Sequence, residues 1–199
     1  IGQQDFETND FNVRYSARLA KNLRSITRYD YQKSNIMTQD IGLAFGESAA
    51  MTTHILSESI SWNPQPRWYL QGNLNLVWDT LRTPAATLAG NASNLVRNSD
   101  NNYTTFSLGS GYVLDKASDL YVDYSIYQTD DNYEDNTAKT VAFGTDAVSQ
   151  QIGVTWTRNL TDRAKLTVKY AYADYEDNVY GGKSDFKAHL LYSKLQYRF

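Results

Sequence analysis

The chain has 199 residues, 22 acidic and 19 basic, for a net charge of −3, with no cysteine, 16 Tyr, 4 Trp and only 3 Pro. Its mean hydropathy is −0.57 and its pI about 5.3, and no run approaches the roughly 18 apolar residues of a membrane helix, so a helical membrane protein is excluded. The missing cysteines exclude a disulfide scaffold and thiolate metal sites, and the acidic balance argues against a nucleic-acid partner.

Alternation of apolar and polar residues predicts about nine strands, near 10–21, 24–34, 52–62, 67–79, 103–114, 119–129, 148–158, 164–174 and 186–199. In the first, Phe11, Val13, Tyr15, Ala17 and Leu19 oppose Asn12, Arg14, Ser16 and Arg18. The fourth is the clearest. Trp68, Leu70, Leu74, Leu76 and Trp78 share one face, while Tyr69, Gln71, Asn73 and Asn75 make the other polar. Ten steps of about 3.3 Å, tilted by about 40°, carry Trp68 and Trp78 roughly 25 Å apart along the normal, the height of a membrane barrel's apolar band. Leu120, Val122, Tyr124 and Ile126 then alternate with Tyr121, Asp123 and Ser125. Ile152, Val154 and Trp156 alternate with Gln151, Gly153 and Thr155. Finally, Leu166, Val168, Tyr170 and Tyr172 alternate with Lys165, Thr167 and Lys169.

The connections alternate short and long. The short ones are 21–24, 63–67, 115–119 and 159–163; the long ones are about 35–51, 80–102, 130–147 and 175–185. This places every tight turn at one end and every long loop at the other, which an immunoglobulin-like sandwich has no reason to do. Aromatic residues gather beside the short turns (Trp62, Trp68, Tyr112, Tyr121, Trp156) and at the distal strand ends (Tyr29, Tyr31, Trp78, Phe106, Tyr172), which reads as two girdles. Of these, Trp62, Trp68, Trp78, Tyr112, Trp156 and Tyr172 are the main girdle candidates.

The last residues alternate and stop on an aromatic carboxyl terminus: Leu191, Leu195, Tyr197 and Phe199 on one face, Lys194, Gln196 and Arg198 on the other. This ending resembles the closing strand of Gram-negative outer-membrane β-barrels. With Trp62-Asn63-Pro64-Gln65-Pro66-Arg67 and the long hairpins, the chain is similar to large porin-like proteins. The resemblance implies an all-β, antiparallel transmembrane β-barrel in the bacterial outer membrane, with Leu195, Tyr197 and Phe199 as the signal read by the assembly machinery. It also implies outer-membrane lipid and lipopolysaccharide as surroundings. Barrels of this type have an even strand number and both termini in the periplasm. Nine strands from a C-terminus at the short-turn end start on the wrong side, and residues 1–9 are too few to add another. The chain therefore reads as one domain, the C-terminal part of a larger even-stranded barrel. A tenth strand at Ile41–Phe45 is the competing count.

The polar rows carry the functional expectation. Arg14, Arg18, Arg28, Asp30, Asn73, Asn75, Asp79, Asp123, Lys165, Lys169, Lys194 and Arg198 are expected to line a lumen, with basic groups in excess. The expected function is a passive pore for small hydrophilic solutes, with no cofactor and no catalysis. A homo-oligomer is one expected assembly. Alternatives are a sheath around a partner cytochrome in an electron conduit, and an outer-membrane enzyme. Against the enzyme, neither His54 nor His189 has a nucleophile and an orienting acid at recognisable spacing. The acidic runs 130–136 and 174–178 lack a calcium-loop frame and read as solvated loop, with divalent cations bridging to lipopolysaccharide as the competing role. Gly181-Gly182 is expected to turn the last long loop.

Overall fold

The computed structural model describes residues 3–39, 46–83, 98–133, 146–179 and 181–199. They form nine strands: β1 (Gln3–Ala20), β2 (Leu23–Gln39), β3 (Gly46–Gln65), β4 (Trp68–Arg82), β5 (Ser99–Val113), β6 (Ser118–Tyr133), β7 (Ala147–Asn159), β8 (Ala164–Asp177) and β9 (Phe186–Tyr197). All lie in one sheet in sequential order, and each pairs antiparallel with the next. β1 and β9 are its two edges, so the sheet is open.

Every expected strand is present, but most extend further at the long-loop end. β1 begins at Gln3 rather than near residue 10, and β3 begins at Gly46 rather than near 52. Alternation marks a strand only while its two faces meet different media. Beyond the second aromatic row the alternation breaks down, with Gln3–Asn9 of β1 almost wholly polar and Gly46–Met51 of β3 mixed, so the signal fades although the hydrogen-bonded ladder continues. Residues 3–9, left outside the strands by periodicity, are thus the outer half of β1. The candidate tenth strand at 41–45 lies outside the described residues, as do most of the longest loops.

At the short-turn end, successive turns are tied by backbone hydrogen bonds. Asn63 donates to the Asn22 carbonyl at 2.8 Å, Val113 to Arg67 at 2.8 Å, Asn159 to Ala117 at 2.8 Å and Arg198 to Arg163 at 2.8 Å. Pro64 lacks an N–H for the ladder, and the pairing of β3 with β4 shifts register around it, between Trp62 and Gln65; Pro66 follows in the turn. In the turn before β6 the Ala117 amide donates to Asp115 Oδ1 at 2.7 Å. That bond, which favours the charged form, lowers the Asp115 carboxyl below its ordinary value. Gly181 and Gly182 have φ of 63° and 79°, so the expected turn before β9 is there, built on a backbone that other residues adopt only with strain.

Candidate functional site: the polar face of the sheet

Directly opposed residues of an antiparallel sheet lie on the same face, so the register traces each face from strand to strand. One face carries Phe11, Val13 and Tyr15 of β1, then Tyr29, Leu56, Leu76, Thr104, Gln128 and Val148 across the sheet. It continues through Leu70, Leu74, Phe106, Val122, Val154, Tyr170 and Leu191. The other carries Arg14 against Arg28, Arg28 against Ser57, Ser57 against Asn75, Asn75 against Thr105, and so on to Lys169 against Tyr192.

All of the polar-row residues named from the sequence share this second face. Arg14 and Arg18 stand on β1, Arg28 and Asp30 on β2, Asn73, Asn75 and Asp79 on β4, and Asp123 on β6. Lys165 and Lys169 stand on β8 and Lys194 on β9, with Arg198 following in phase. The six main girdle aromatics all fall on the apolar face. Trp68 pairs with Tyr112, Tyr112 with Leu120 and Leu120 with Trp156 beside the short turns; Trp78 pairs with His54 and Tyr172 with His189 further out.

Two aromatics belong elsewhere. Tyr121 is opposed to Gly111 and Thr155 on the polar face, because it is odd-numbered in a strand whose even positions are apolar. Phe106 opposes Leu74 at mid-strand rather than at the distal end, since β5 runs out to Ser99.

Burial distinguishes the faces in an unexpected sense. Among the described residues Val77, Thr129, Ala147, Ala171 and Asp177 are buried, and all five lie on the polar face; Ser118, beside a turn, is the remaining one named with them. On the apolar face Ile60, Leu108, Ile152 and Tyr170 stay more than 40% exposed. Side chains converge on the concave side of a curved sheet and splay on the convex side, so the polar face is the concave one. The glycines of that face show the crowding directly. A Cβ on Gly109 would strike the Tyr121 ring and hydroxyl, one on Gly111 the Tyr69 ring, and one on Gly153 the Asp123 carboxylate at 2.7 Å. Tyr69 and Tyr121 stack at 6.3 Å across this glycine floor.

The polar side chains bond laterally. Ser59 bonds Asn73 at 2.9 Å, Asn75 bonds Thr105 at 2.9 Å and Thr53 bonds Asp79 at 2.8 Å. Two of the seven expected lumenal cations are paired: Arg28 with Asp30 at 2.7 Å and Lys169 with Asp123 at 3.6 Å. Asp30 also accepts from Asn12. Arg18 instead donates to the Lys21 carbonyl at 2.8 Å. Arg24, which the sequence reading passed over, opposes Arg18 and joins the same face. Its phase with Arg28, four residues on, was the available signal. Arg18, Arg24, Ser16 and Ser61 line a recess of about 590 Å³ beside the first short turn. Cations collect on β1–β2 and on β8–β9, while the polar face of β3–β5 carries mostly Ser, Thr, Asn and Gln.

Within the apolar band, the apolar face also carries a carboxylate that alternation does not flag. Glu58 opposes Leu74 and accepts 2.5 Å hydrogen bonds from Ser25 and Thr27, an island of polar atoms four residues from Trp62. Both histidines also lie on this face and bond tyrosine hydroxyls rather than a nucleophile and an acid.

No protein-family model and no curated protein matches the chain. Among solved structures, it is similar to the outer-membrane expressed OmpT of Vibrio cholerae, with a TM-score of 0.51 and 12% identity over 96% of this chain and 57% of that one. It is similar also to the outer membrane channel DcaP of Acinetobacter baumannii, with a TM-score of 0.52 and 11% identity over 94% of this chain and 62% of that one. The chain thus spans about three fifths of the length of either protein. Its fold is that of an outer-membrane β-barrel wall, nine antiparallel strands long.

Proposed function

We propose that the chain is part of a porin-like barrel of the bacterial outer membrane, closed by further strands between β9 and β1, through which small hydrophilic solutes diffuse. The apolar convex face meets lipid and the polar concave face lines the water-filled lumen. The observation that carries this reading is the burial asymmetry: the crowded face is the one lined with Arg, Lys, Asn, Ser and Thr. A soluble sandwich would crowd its apolar face instead. The solved channel from Acinetobacter, though distant in sequence, lends support.

The wall is basic. Of its cations, Arg14, Lys165 and Lys194 have no hydrogen-bond or ion-pair partner among the described residues, and Arg28 and Lys169 share theirs with acids. Unpaired fixed charge repels ions of like sign, so the pore favours anions at low salt. The preference fades as the Debye length falls from about 30 Å at 0.01 M to about 3 Å at 1 M. Planar-bilayer recording of the intact protein under a KCl gradient tests this. The expected reversal potential has the anion-selective sign and shrinks with salt; a cation-selective sign rejects the charge assignment. Absence of conductance, with haem copurifying, points to a cytochrome sheath.

A further inference from the structure

The two histidines of the chain sit in matching surroundings. Tyr29 Oη lies 2.8 Å from His54 Nδ1, and the Tyr31 ring packs on the imidazole at 5.0 Å and 51°. Tyr170 Oη lies 2.8 Å from His189 Nδ1, and the Tyr172 ring packs at 5.1 Å and 51°. Each pair, Tyr31 with His54 and Tyr172 with His189, is directly opposed across two strands on the apolar face. The first stands eight residues out from the Leu23–Trp62 pair and the second eight out from Ala164–Tyr197. Eight steps of about 3.3 Å at a tilt of about 40° put both roughly 20 Å from the short-turn end, at the outer margin of the apolar band. Trp78, opposed to His54, marks the same margin.

The Tyr Oη–Nδ1 bond takes either direction, and in the tautomer in which the hydroxyl donates, the neutral imidazole carries its proton on Nε2. Neither Nε2 has a partner among the described residues. An N–H left facing hydrocarbon is costly, whereas one at the headgroup level has an acceptor within reach. One rung further out on the same face each cluster is topped by a lysine: Lys33 opposed to Thr52, and Lys187 opposed to Asp174. The lysines differ. Lys187 is held by Asp174 at 3.1 Å, while Lys33 has only Asn9 and Thr52 opposite it and no ion pair. Glu7, opposed to Asn35, is the next acid outward on that face.

We propose that these clusters are binding sites for the phosphate of an outer-leaflet lipid headgroup, a phosphorylated glycolipid, and that the site of Tyr29, His54 and Lys33 is the stronger. The imidazole, in its Nε2–H tautomer, and the lysine ammonium are the two donors, and the tyrosines hold the ring through Nδ1 and its face, leaving Nε2 for the ligand. The proposal rests on the barrel reading, with its long hairpins on the outer side.

The test uses the intact protein folded into phosphatidylcholine vesicles that contain either lipid A with its phosphates or lipid A from which they have been removed. Lipid retained on the barrel is read by native mass spectrometry after extraction into detergent. Heat-modifiable gel mobility shows separately whether the barrel has formed, so failure of the fold reading and failure of the lipid site are distinguishable. Wild type is expected to retain phosphorylated lipid A and to lose the dephosphorylated form. Lys33→Ala and His54→Phe should lose most of the retained lipid, Lys187→Ala much less. Tyr29→Phe, which keeps the ring but frees Nδ1, should also weaken retention. Equal retention of the two lipids, or undiminished retention by folded His54→Phe, overturns the proposal and leaves the clusters as ordinary girdle aromatics.

Discussion

The two faces of this sheet obey opposite rules. On the apolar face the large side chains, Ile60, Leu108, Ile152 and Tyr170 among them, stand apart and stay exposed; on the polar face small residues are buried beneath tyrosines and charged groups. In a water-soluble protein the crowded face would be the apolar one, because burial of apolar area drives folding. In the proposed barrel lipid does the covering, and crowding instead reports the curvature that would enclose a lumen. Which residue type a face carries and how tightly it is packed are separate facts in such a wall, and together they give the inside and the outside.

The most damaging substitution should be a charge on the splayed face. Leu74 lies midway between Trp68 and Trp78 on that face, opposite Glu58 and Phe106, and Leu74→Arg should cost roughly 2–4 kcal/mol of folding free energy in urea titrations of the lipid-embedded barrel. Asn73→Arg, one residue away on the polar face, should be near neutral; the reverse order would mean that the faces are assigned the wrong way round.

Crowding on the polar face gives a somewhat smaller effect. Gly111→Ala puts a methyl group into the Tyr69 ring, a form of overpacking worth about 1–3 kcal/mol. Adding Tyr69→Ala should recover part of that loss, since the two sites are coupled. Strict additivity of the two losses would show that the ring does not rest on the glycine. The smallest effect belongs to the rim. The Lys187–Asp174 pair, whose lysine side chain is 66% exposed, should contribute within the 0.2–1 kcal/mol of exposed ion pairs, and Asp174→Asn should lose no more. A larger loss would indicate that this rim is shielded from water.

Much of this architecture was legible in the sequence because the sheet separates two media. Wherever one face meets lipid and the other water, side chains alternate, so the nine strands, their register parity and the shared face of Arg14, Asn73, Asp123 and Lys169 could all be read from position alone. Outside the apolar band the alternation ends, and β1 and β3 were underestimated there by about six or seven residues each. Contacts across strands were not legible either. Arg24 facing Arg18, Tyr121 on Gly109, and Glu58 held by Ser25 and Thr27 each depend on which residue a neighbouring strand brings opposite, and a single strand's period does not contain that information.

The 199 residues contain no cysteine, so once any cysteine elsewhere in the intact protein is replaced, the division between the faces can be measured residue by residue. Single cysteines placed in turn from Leu70 to Trp78 in the intact, membrane-embedded protein can be challenged with a charged, water-soluble thiol reagent and with a lipid-soluble quencher. The account expects a period of two: positions 71, 73 and 75 react with the aqueous reagent, while 70, 74 and 76 are shielded from it and meet the quencher. Uniform reactivity along β4, or the same alternation with the two reagents exchanged, would contradict it.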